Sequence, residues 1–167
     1  MITITKLDPS FKYEISKTPG GQNIRRCFQC GTCSAGCPVG EIDERYNPRK
    51  IIRMALLGMK ERVLASDFIW LCTACYTCQE RCPQDVRITD LISAITNLAV
   101  KEGHIHPVLV QQVKAIGSSG RLHSVTDFIN KRRASMGLPN ACPEYPEIQE
   151  IFKMTGLSRL VDSDGSE

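Results

Sequence analysis

A chain of 167 residues is about one domain long; at 42% hydrophobic and 23% charged residues it has the make-up of a soluble globular protein, and no apolar run approaches the ~18–20 residues of a membrane span. Aromatic residues at 6% and a formal charge of only +3 argue against a surface that stacks on and neutralises nucleic acid. Nine cysteines are far more than packing needs, and MITITKLDPS has no long apolar core behind a basic start. Without an export signal, clustered thiols in a reducing compartment, the cytoplasm, point to metal and exclude a disulfide framework.

In chain order, residues 1–7, MITITKL, alternate polar and apolar with β-branched side chains, which predicts a short strand. DPS and TPGG punctuate the segment that follows, and Gly20-Gly21 leads into a short helical turn before Cys27. Between the cysteine motifs, Asn47 can cap a helix that has Pro48 at its first position and an apolar stripe of Ile51, Ile52, Ala55 and Leu56, with Gly58 as its end. Ser66-Asp67 can start a further turn carrying Phe68, Ile69 and Leu71. The clearest helix has Thr89 as cap, Asp90 in its first turn, Leu91, Ile95 and Leu98 on one face, and Gly103 as its stop. Three more helices are expected: about 107–116 ended by Gly117, about 125–136 capped by Ser124, and about 146–155 ended by Gly156. SSG at 118–120 and GLPNACPEYP at 137–146 read as linkers, and the tail DSDGSE is expected to fray.

The chemistry lies in a phrase written twice. CFQCGTCSAGCP (27–38) and CTACYTCQERCP (72–83) both read C-x2-C-x2-C-x3-C-P, offset by 45 positions, from Cys27 to Cys72. A four-iron cubane wants four thiolates around a compact core. The first three cysteines of such a run reach one cubane, and the fourth ligates the other cluster of a two-cluster protein. One cluster is therefore expected on Cys27, Cys30, Cys33 and Cys82, and the other on Cys72, Cys75, Cys78 and Cys37. Gly31, Thr32, Thr73, Ala74 and Thr77 are small enough for backbone N–H groups to approach the sulfurs, and such hydrogen bonds raise the reduction potential. Pro38 and Pro83 turn the chain away. Structural zinc would use only one C-x2-C pair from each end and leave the regular fourth cysteine unexplained. No C-x3-C-x2-C of a radical-generating cluster occurs, and no spare cysteine near the motifs suggests an open iron. Fully ligated clusters suit electron transfer, and no catalytic residue is expected.

Two oxidised cubanes with their thiolates, at about −2 each, would move the chain's charge to about −1. The mild basicity then offsets the clusters, with Arg25, Arg26, Arg81 and Arg87 nearby in sequence. Other candidates weigh less. His104 and His106 read as loop residues, His123 as a helix-start residue, and Cys142 as a buried structural cysteine in preference to a reactive thiol. Lys131-Arg132-Arg133 reads as a solvated helix face that could dock an acidic partner. No P-loop, G-x-G-x-x-G or nucleophile elbow is present.

GGQNIRRCFQCGTCSAGCPVG together with CTACYTCQERCP resembles the C-type subunit of the soluble, methanogen-type heterodisulfide reductase, over roughly residues 20–102. The resemblance implies a mainly α fold: an α-helical ferredoxin module with two [4Fe–4S] clusters, a short N-terminal β or extended segment, and extra C-terminal helices. It divides the chain into an N-terminal extension (1–22), the two-cluster domain (23–102) and a C-terminal helical partner-docking segment (103–167). Iron–sulfur subunits of succinate dehydrogenase, anaerobic glycerol-3-phosphate dehydrogenase and glycolate oxidase share the core module. They carry upstream plant-type clusters or downstream Cys-Cys domains that have no counterpart here. The implied role is the electron-transfer subunit of an oxidoreductase of methanogenesis, without a substrate site of its own. It would pass electrons from the flavin-bearing, iron–sulfur A-type subunit to the B-type subunit, which cleaves the mixed disulfide of coenzymes M and B. Hydrogenase or formate dehydrogenase subunits would be reached through the A-type subunit. A relay in a related sulfur-metabolising or quinone-linked complex stands as the alternative. A redox-sensing regulator would need a DNA-binding helix pair, of which only the KRR run is a hint. The stripes of Leu109, Val113 and Ile116 and of Phe128 and Ile129 read as packing surfaces, one of them as a candidate partner face.

Overall fold

The computed structural model describes residues 6–142 and 144–159. The predicted strand at 1–7 lies mostly outside them; Lys6 and Leu7 are not in a strand, and no strand occurs among the described residues. The predicted fraying tail also lies outside them. The chain divides into two compact units, Met1–His104 and Ile105–Glu167. No helix among the described residues is long and apolar enough to cross a membrane.

The first unit is built on its longest helix. Counting in chain order, its helices are α1 (Phe11–Lys17), α2 (Thr32–Ala35), α3 (Pro38–Ile42), α4 (Pro48–Leu56), α5 (Lys60–Leu64), α6 (Thr77–Glu80) and α7 (Ile88–Lys101). In α7 the apolar residues recur every three to four positions, and Leu91, Ile92, Ala94, Ile95, Leu98 and Ala99 are all buried. Each of the large ones contributes about 1.5–3 kcal/mol by leaving water. Against this face pack α1, α5, α6 and a 3-10 turn at Asp67–Leu71. Glu102 caps the helix, and Gly103, the stop the sequence predicts, follows it in the left-handed region (φ 85°).

Helix α4 also follows its sequence. The Asn47 side chain accepts the Lys50 N–H at 3.0 Å, Pro48 occupies the first turn, and Ile51, Ile52, Met54 and Ala55 are buried. Helix α1 has no counterpart among the predicted elements. Only Phe11 and Ile15, one turn apart, face inward, and both are 0% exposed. Residues of the supposed extension therefore complete the first unit's core. Gly20 and Gly21 bring the chain onward because neither has a Cβ. One at Gly20 would stand 2.6 Å from the Asp90 carbonyl oxygen, and one at Gly21 2.1 Å from that of Ile15. Lys60 ties α5 to both neighbours, its Nζ 3.0 Å from Glu14 Oε2 and 2.8 Å from Glu102 Oε1.

Thr89 does not cap α7. Arg87, in the left-handed region (φ 56°), is the boundary residue, and Thr89 lies inside the first turn, 3% exposed. The capping pattern is real, but tertiary contacts give the threonine another use, described below.

The second unit holds α8 (Pro107–Ser119), α9 (Asp127–Ser135) and α10 (Glu147–Thr155). Helix α8 runs past Gly117 and ends at Gly120 (φ 74°). Gly117 is used for packing, since a Cβ there would meet the Phe152 ring at 2.9 Å. Ser118 and Ser119 thus belong to the helix, donating to the Ala115 carbonyl. Thr126, not Ser124, caps α9, its Oγ1 accepting from Ile129 N–H at 3.5 Å. Gly156 ends α10 as expected. Val110 and Phe152 are buried here, whereas Val108, Leu122, Phe128, Ile129, Met136, Ile151 and Met154 are exposed.

Candidate metal centres

The repeated phrase is also a repeated backbone. Each copy follows a 3-10 turn, Ile24–Arg26 or Asp67–Leu71, and leaves it at an extended cysteine, Cys27 (φ −67°, ψ 114°) or Cys72 (φ −63°, ψ 121°). The chain then turns left-handed twice, at Gln29 and Gly31 (φ 66° and 91°) in loop 1 and at Ala74 and Tyr76 (φ 51° and 62°) in loop 2. These turns bracket the exposed second cysteine, Cys30 or Cys75. The third cysteine, Cys33 or Cys78, rides on a one-turn helix, α2 or α6. Cys37 and Cys82 stand immediately before prolines, and Pro38 opens α3.

Cys27, Cys30 and Cys33 line a partly open hollow, and Cys82 of the other loop lines it with them. Arg49 from α4 and Phe28 form part of its wall. On the other side, Cys37 lies close enough to Cys78 for its charge to reach it, as do Cys72 and Cys75. Burial pushes the Cys78 thiol up, the Thr89 hydroxyl at 3.7 Å opposes the rise, and the charges of Cys72, Cys37 and Cys75 add to it. Burial also raises Cys33, against its Ser34 hydroxyl, and Cys27, Cys78 and Cys30 reinforce the shift. The charge of Cys78 thus reaches Cys33, and α2, which carries Cys33, packs on α6, which carries Cys78.

Polar groups reach the sulfurs at nearly every position. Thr32 and Thr77, equivalent in the repeat, stand with their hydroxyls 3.4 Å from Cys30 Sγ and 3.6 Å from Cys75 Sγ. These hydroxyls, helped by the backbone N–H of the same threonines, hold both thiols below the usual cysteine value. Val86 N–H donates to Cys82 Sγ at 3.4 Å, and Gln29 Nε2 to Cys27 Sγ at 3.2 Å. The Gln29 Oε1 is buried with no hydrogen-bond partner among the described residues. An unpaired buried acceptor costs about 1–3 kcal/mol. Tyr46, 3% exposed, lies against loop 2; burial, a hydrogen bond to Cys72 and the charges of Cys72, Cys37 and Cys78 all push its phenol well above the ordinary value.

This donor set fits cubane iron–sulfur clusters. Thiolates that repel one another when free are stabilised once metal takes their charge. Hydroxyl and N–H donors aimed at sulfur are the means by which a protein tunes such a cluster. A zinc ion would draw four sulfurs to about 2.3 Å from one point. Among the described residues, no three His, Cys, Asp or Glu side chains are arranged to hold a single ion.

Sequence reasoning missed Gln29, Tyr46, Arg49 and Thr89. Gln29 was legible as the one polar, non-small residue between the first two cysteines of loop 1. Tyr46 and Arg49 come from outside the phrase and had no local signal. Of the arginines expected to offset cluster charge, Arg26 lies 3.9 Å from Asp85, Arg87 pairs with Asp90 at 3.0 Å, and Arg25 lies over the Tyr13 ring. Arg81 Nη1 approaches Gly36. Cys142 is exposed, not buried, and its Sγ donates to the Glu144 carbonyl at 2.8 Å; the loop 137–146 offers no core to hold it. His104 stands 3.7 Å from Glu61, and His106 Nδ1 accepts from Val108 N–H at the start of α8. His123 is exposed and precedes the true cap, Thr126. Lys131 and Arg132 are exposed as expected, while Arg133 donates to the Pro139 carbonyl.

Two cysteine-rich loops of this kind on a helical scaffold define an iron–sulfur protein of the two-cluster ferredoxin kind, carrying two [4Fe–4S] clusters. The family model for the 4Fe-4S dicluster domain matches residues 23–86, which include all eight motif cysteines. The chain is 37% identical to the C-type subunit of the H(2):CoB-CoM heterodisulfide,ferredoxin reductase of Methanothermobacter thermautotrophicus, over 93% of this chain and 86% of that protein. It is 39% identical to the C2 subunit of the H(2)/formate:CoB-CoM heterodisulfide,ferredoxin reductase of Methanococcus maripaludis, over 98% and 96%. To the C-type iron-sulfur subunit of the CoB--CoM heterodisulfide reductase of Methanopyrus kandleri it is 34% identical, over 87% and 79%. The chain belongs to the family of heterodisulfide reductase C-type subunits, as the iron–sulfur subunit of an oxidoreductase. The similarity extends well beyond residues 20–102, where the motifs alone had carried it.

Proposed function

We propose that this chain relays single electrons from a flavin-bearing A-type subunit to a heterodisulfide-cleaving B-type subunit. The acceptor is the mixed disulfide of coenzymes M and B, whose reduction to two thiols consumes two electrons and two protons. In this reading the clusters are held by Cys27, Cys30, Cys33 and Cys82 and by Cys72, Cys75, Cys78 and Cys37. The shared hollow of the first set and the mutual charge effects of the second support it. The clusters supply reversible one-electron storage. The residues of this chain hold them side by side, shield them with the α7 and α4 core, and leave an exposed sulfur at Cys30 and at Cys75, one edge for each partner.

The observation that carries the proposal is the packing of α2, which carries Cys33, on α6, which carries Cys78, so that the two cysteine loops lie against each other. The apolar side chains exposed on the second unit suit docking to another subunit of the same complex. Eight thiolate ligands suit a reducing cytoplasm, and the pathway served is methanogenesis, reached through hydrogenase or formate dehydrogenase subunits bound to the A-type subunit. Anaerobic purification of the tagged chain tests this. The A-type and B-type subunits should come with it, and omission of this chain from a reconstituted mixture should stop electron flow from flavin to heterodisulfide. Turnover unchanged without it, or co-purification with a quinone- or sulfur-linked enzyme in place of those two subunits, would overturn the assignment.

A further inference from the structure

The third cysteines of the two loops hold equivalent places, on α2 and on α6, and each has a hydroxyl within reach. Ser34 Oγ lies 4.0 Å from Cys33 Sγ, and Thr89 Oγ1 lies 3.7 Å from Cys78 Sγ. The two hydroxyls are not equally free to donate. Asn47 Oδ1 accepts the Lys50 N–H at 3.0 Å, which fixes it as the carbonyl oxygen, so the Ser34 hydroxyl must donate to it, at 2.7 Å. A hydroxyl has one proton, and that of Ser34 is spent before Cys33 can receive it. Thr89 has no such commitment: among the described residues, Cys78 Sγ is the one partner of its hydroxyl. A thiolate has no proton to give, so with Cys78 deprotonated the donor is Thr89. Thr89 is also held in place. Gln79, next to Cys78 on α6, faces Asp90, next to Thr89 on α7; the Asp90 N–H reaches Gln79 Oε1 and Gln79 Nε2 reaches Asp90 Oδ2, each at 3.5 Å. Thr89 itself is 3% exposed, which leaves no room for water to take its part.

We propose that Thr89 is a positioning residue that raises the reduction potential of the loop 2 cluster through Cys78, a contribution that the loop 1 cluster lacks at Cys33. The inference rests on the two-cluster reading of the site. Reduction by one electron adds a negative charge that the ligand sulfurs share. An O–H aimed at one of those sulfurs stabilises the reduced state more than the oxidised one, so it raises the potential. The low dielectric around an enclosed hydroxyl strengthens the effect. Loop 1 takes its amide donor at a different cysteine, from Gln29 to Cys27 within its own phrase. Loop 2 takes this donor from α7, so the potential of its cluster depends on how that helix is seated against α6.

The test is redox titration of the anaerobically purified full-length chain, followed by EPR, for wild type, Thr89→Val, Thr89→Ser and Thr89→Ala. Iron and sulfide are measured first; each protein should hold about eight of each. Thr89→Val keeps the shape and loses the O–H. It should lower one midpoint and leave the other, by more than Thr77→Val does, because water can replace only the exposed hydroxyl. Thr89→Ser keeps the O–H and loses a methyl group, and should stay near the wild-type value. A purely structural role would rank these two variants the other way round. Midpoints that ignore Thr89→Val, that both move, or that fall as far in Thr89→Ser would overturn the inference while leaving the two-cluster reading intact. Should Thr89→Val lose iron, Thr89→Ser and Thr89→Ala decide, since they differ by one hydroxyl: a lower midpoint in the alanine protein bears the inference out, and equal midpoints overturn it. A wild-type chain with only one cluster would overturn the reading beneath it.

Discussion

Between Cys27 and Cys37 the chain turns left-handed at Gln29 and Gly31; between Cys72 and Cys82 it does so at Ala74 and Tyr76. Four different residues thus sit on one backbone path. Both loops present their second cysteine to solvent beside a threonine hydroxyl, and both carry their third on a single helical turn. What differs is what comes to meet them: an amide and the Arg49 side chain at loop 1, a phenol and the Thr89 hydroxyl at loop 2. The comparison teaches that geometry for holding a cluster is written within each phrase, whereas its electronic environment is supplied by the surrounding fold.

The strongest way to break this comparison is to remove the cysteine that, in the proposed cross-ligation, each loop gives to the other. Cys37→Ala should cost the loop 2 cluster and Cys82→Ala the loop 1 cluster, each leaving about half the iron. Mössbauer and EPR spectra of the two variants should be complementary. Loss of the cluster in the mutated phrase itself would show each phrase to be self-sufficient.

A smaller effect is expected from the backbone. A Cβ at Gly31 would meet only Arg49 side-chain atoms, at 3.6 Å and beyond, so Gly31→Ala has room. Its cost is the left-handed conformation, about 1–2 kcal/mol. The thermal midpoint for bleaching of the cluster absorbance should fall. Tyr76, half-exposed, already bears this strain, so Tyr76→Gly should shift the same midpoint less and upward. Equal losses in both variants would mean that the loops are not conformational equivalents.

Subtler still are the shared hydroxyls. Thr32→Val and Thr77→Val should each lower the midpoint of their own cluster by similar, small amounts, because water can reach exposed Cys30 and Cys75 in place of the lost group. Redox titration of the pair checks this. A large difference between them would move the asymmetry of the relay into the loops themselves.

The least effect should come from Lys60, which lies between the two phrases and belongs to neither. Hydrogen bonds that it donates to Glu102 and Glu14 raise its pKa above the ordinary lysine value. A raised pKa contributes stability that is complete below the unfolded value and lost only as pH climbs through the folded one, hence above about pH 10.5. Partial exposure limits the two ion pairs to roughly 0.5–1 kcal/mol. Lys60→Ala should lower the melting temperature slightly at pH 7, with both midpoints unchanged. A changed midpoint would show that the α1–α5–α7 clip reaches the clusters.

How much of this was legible in the sequence depends on how local each signal was. The repeated phrase, the Asn47-Pro48 start of α4, the apolar face of α7 and the stop at Gly103 are each set by residues within a turn or two of one another, and the structure agrees. Helix α1 escaped because Phe11 and Ile15 are two apolar residues in a polar stretch, and their burial depends on α4 and α7 far along the chain. Thr89 matched a cap pattern, but the Cys78 sulfur lies on its other side, and Arg87 took the boundary. Gly117 looked like a stop and proved to be the gap that receives Phe152. Tyr46 and Arg49 could not be read at all, since nothing near them in sequence says which sulfurs they meet.

The hollow lined by Cys27, Cys30, Cys33 and Cys82 has a consequence for how the protein is made. At about 5–20 residues per second, the ribosome delivers Cys82 roughly 50 residues after Cys33, several seconds later. Until then the first three thiols protrude without their fourth partner. In the proposed ligand sets Cys37 waits almost as long for Cys78, which emerges only four positions before Cys82. Both sets would therefore become complete almost together, just before α7, the helix on which the first unit is built, is translated. Iron delivered earlier would find only partial sites, so the order of translation itself favours loading both clusters as α7 closes the fold.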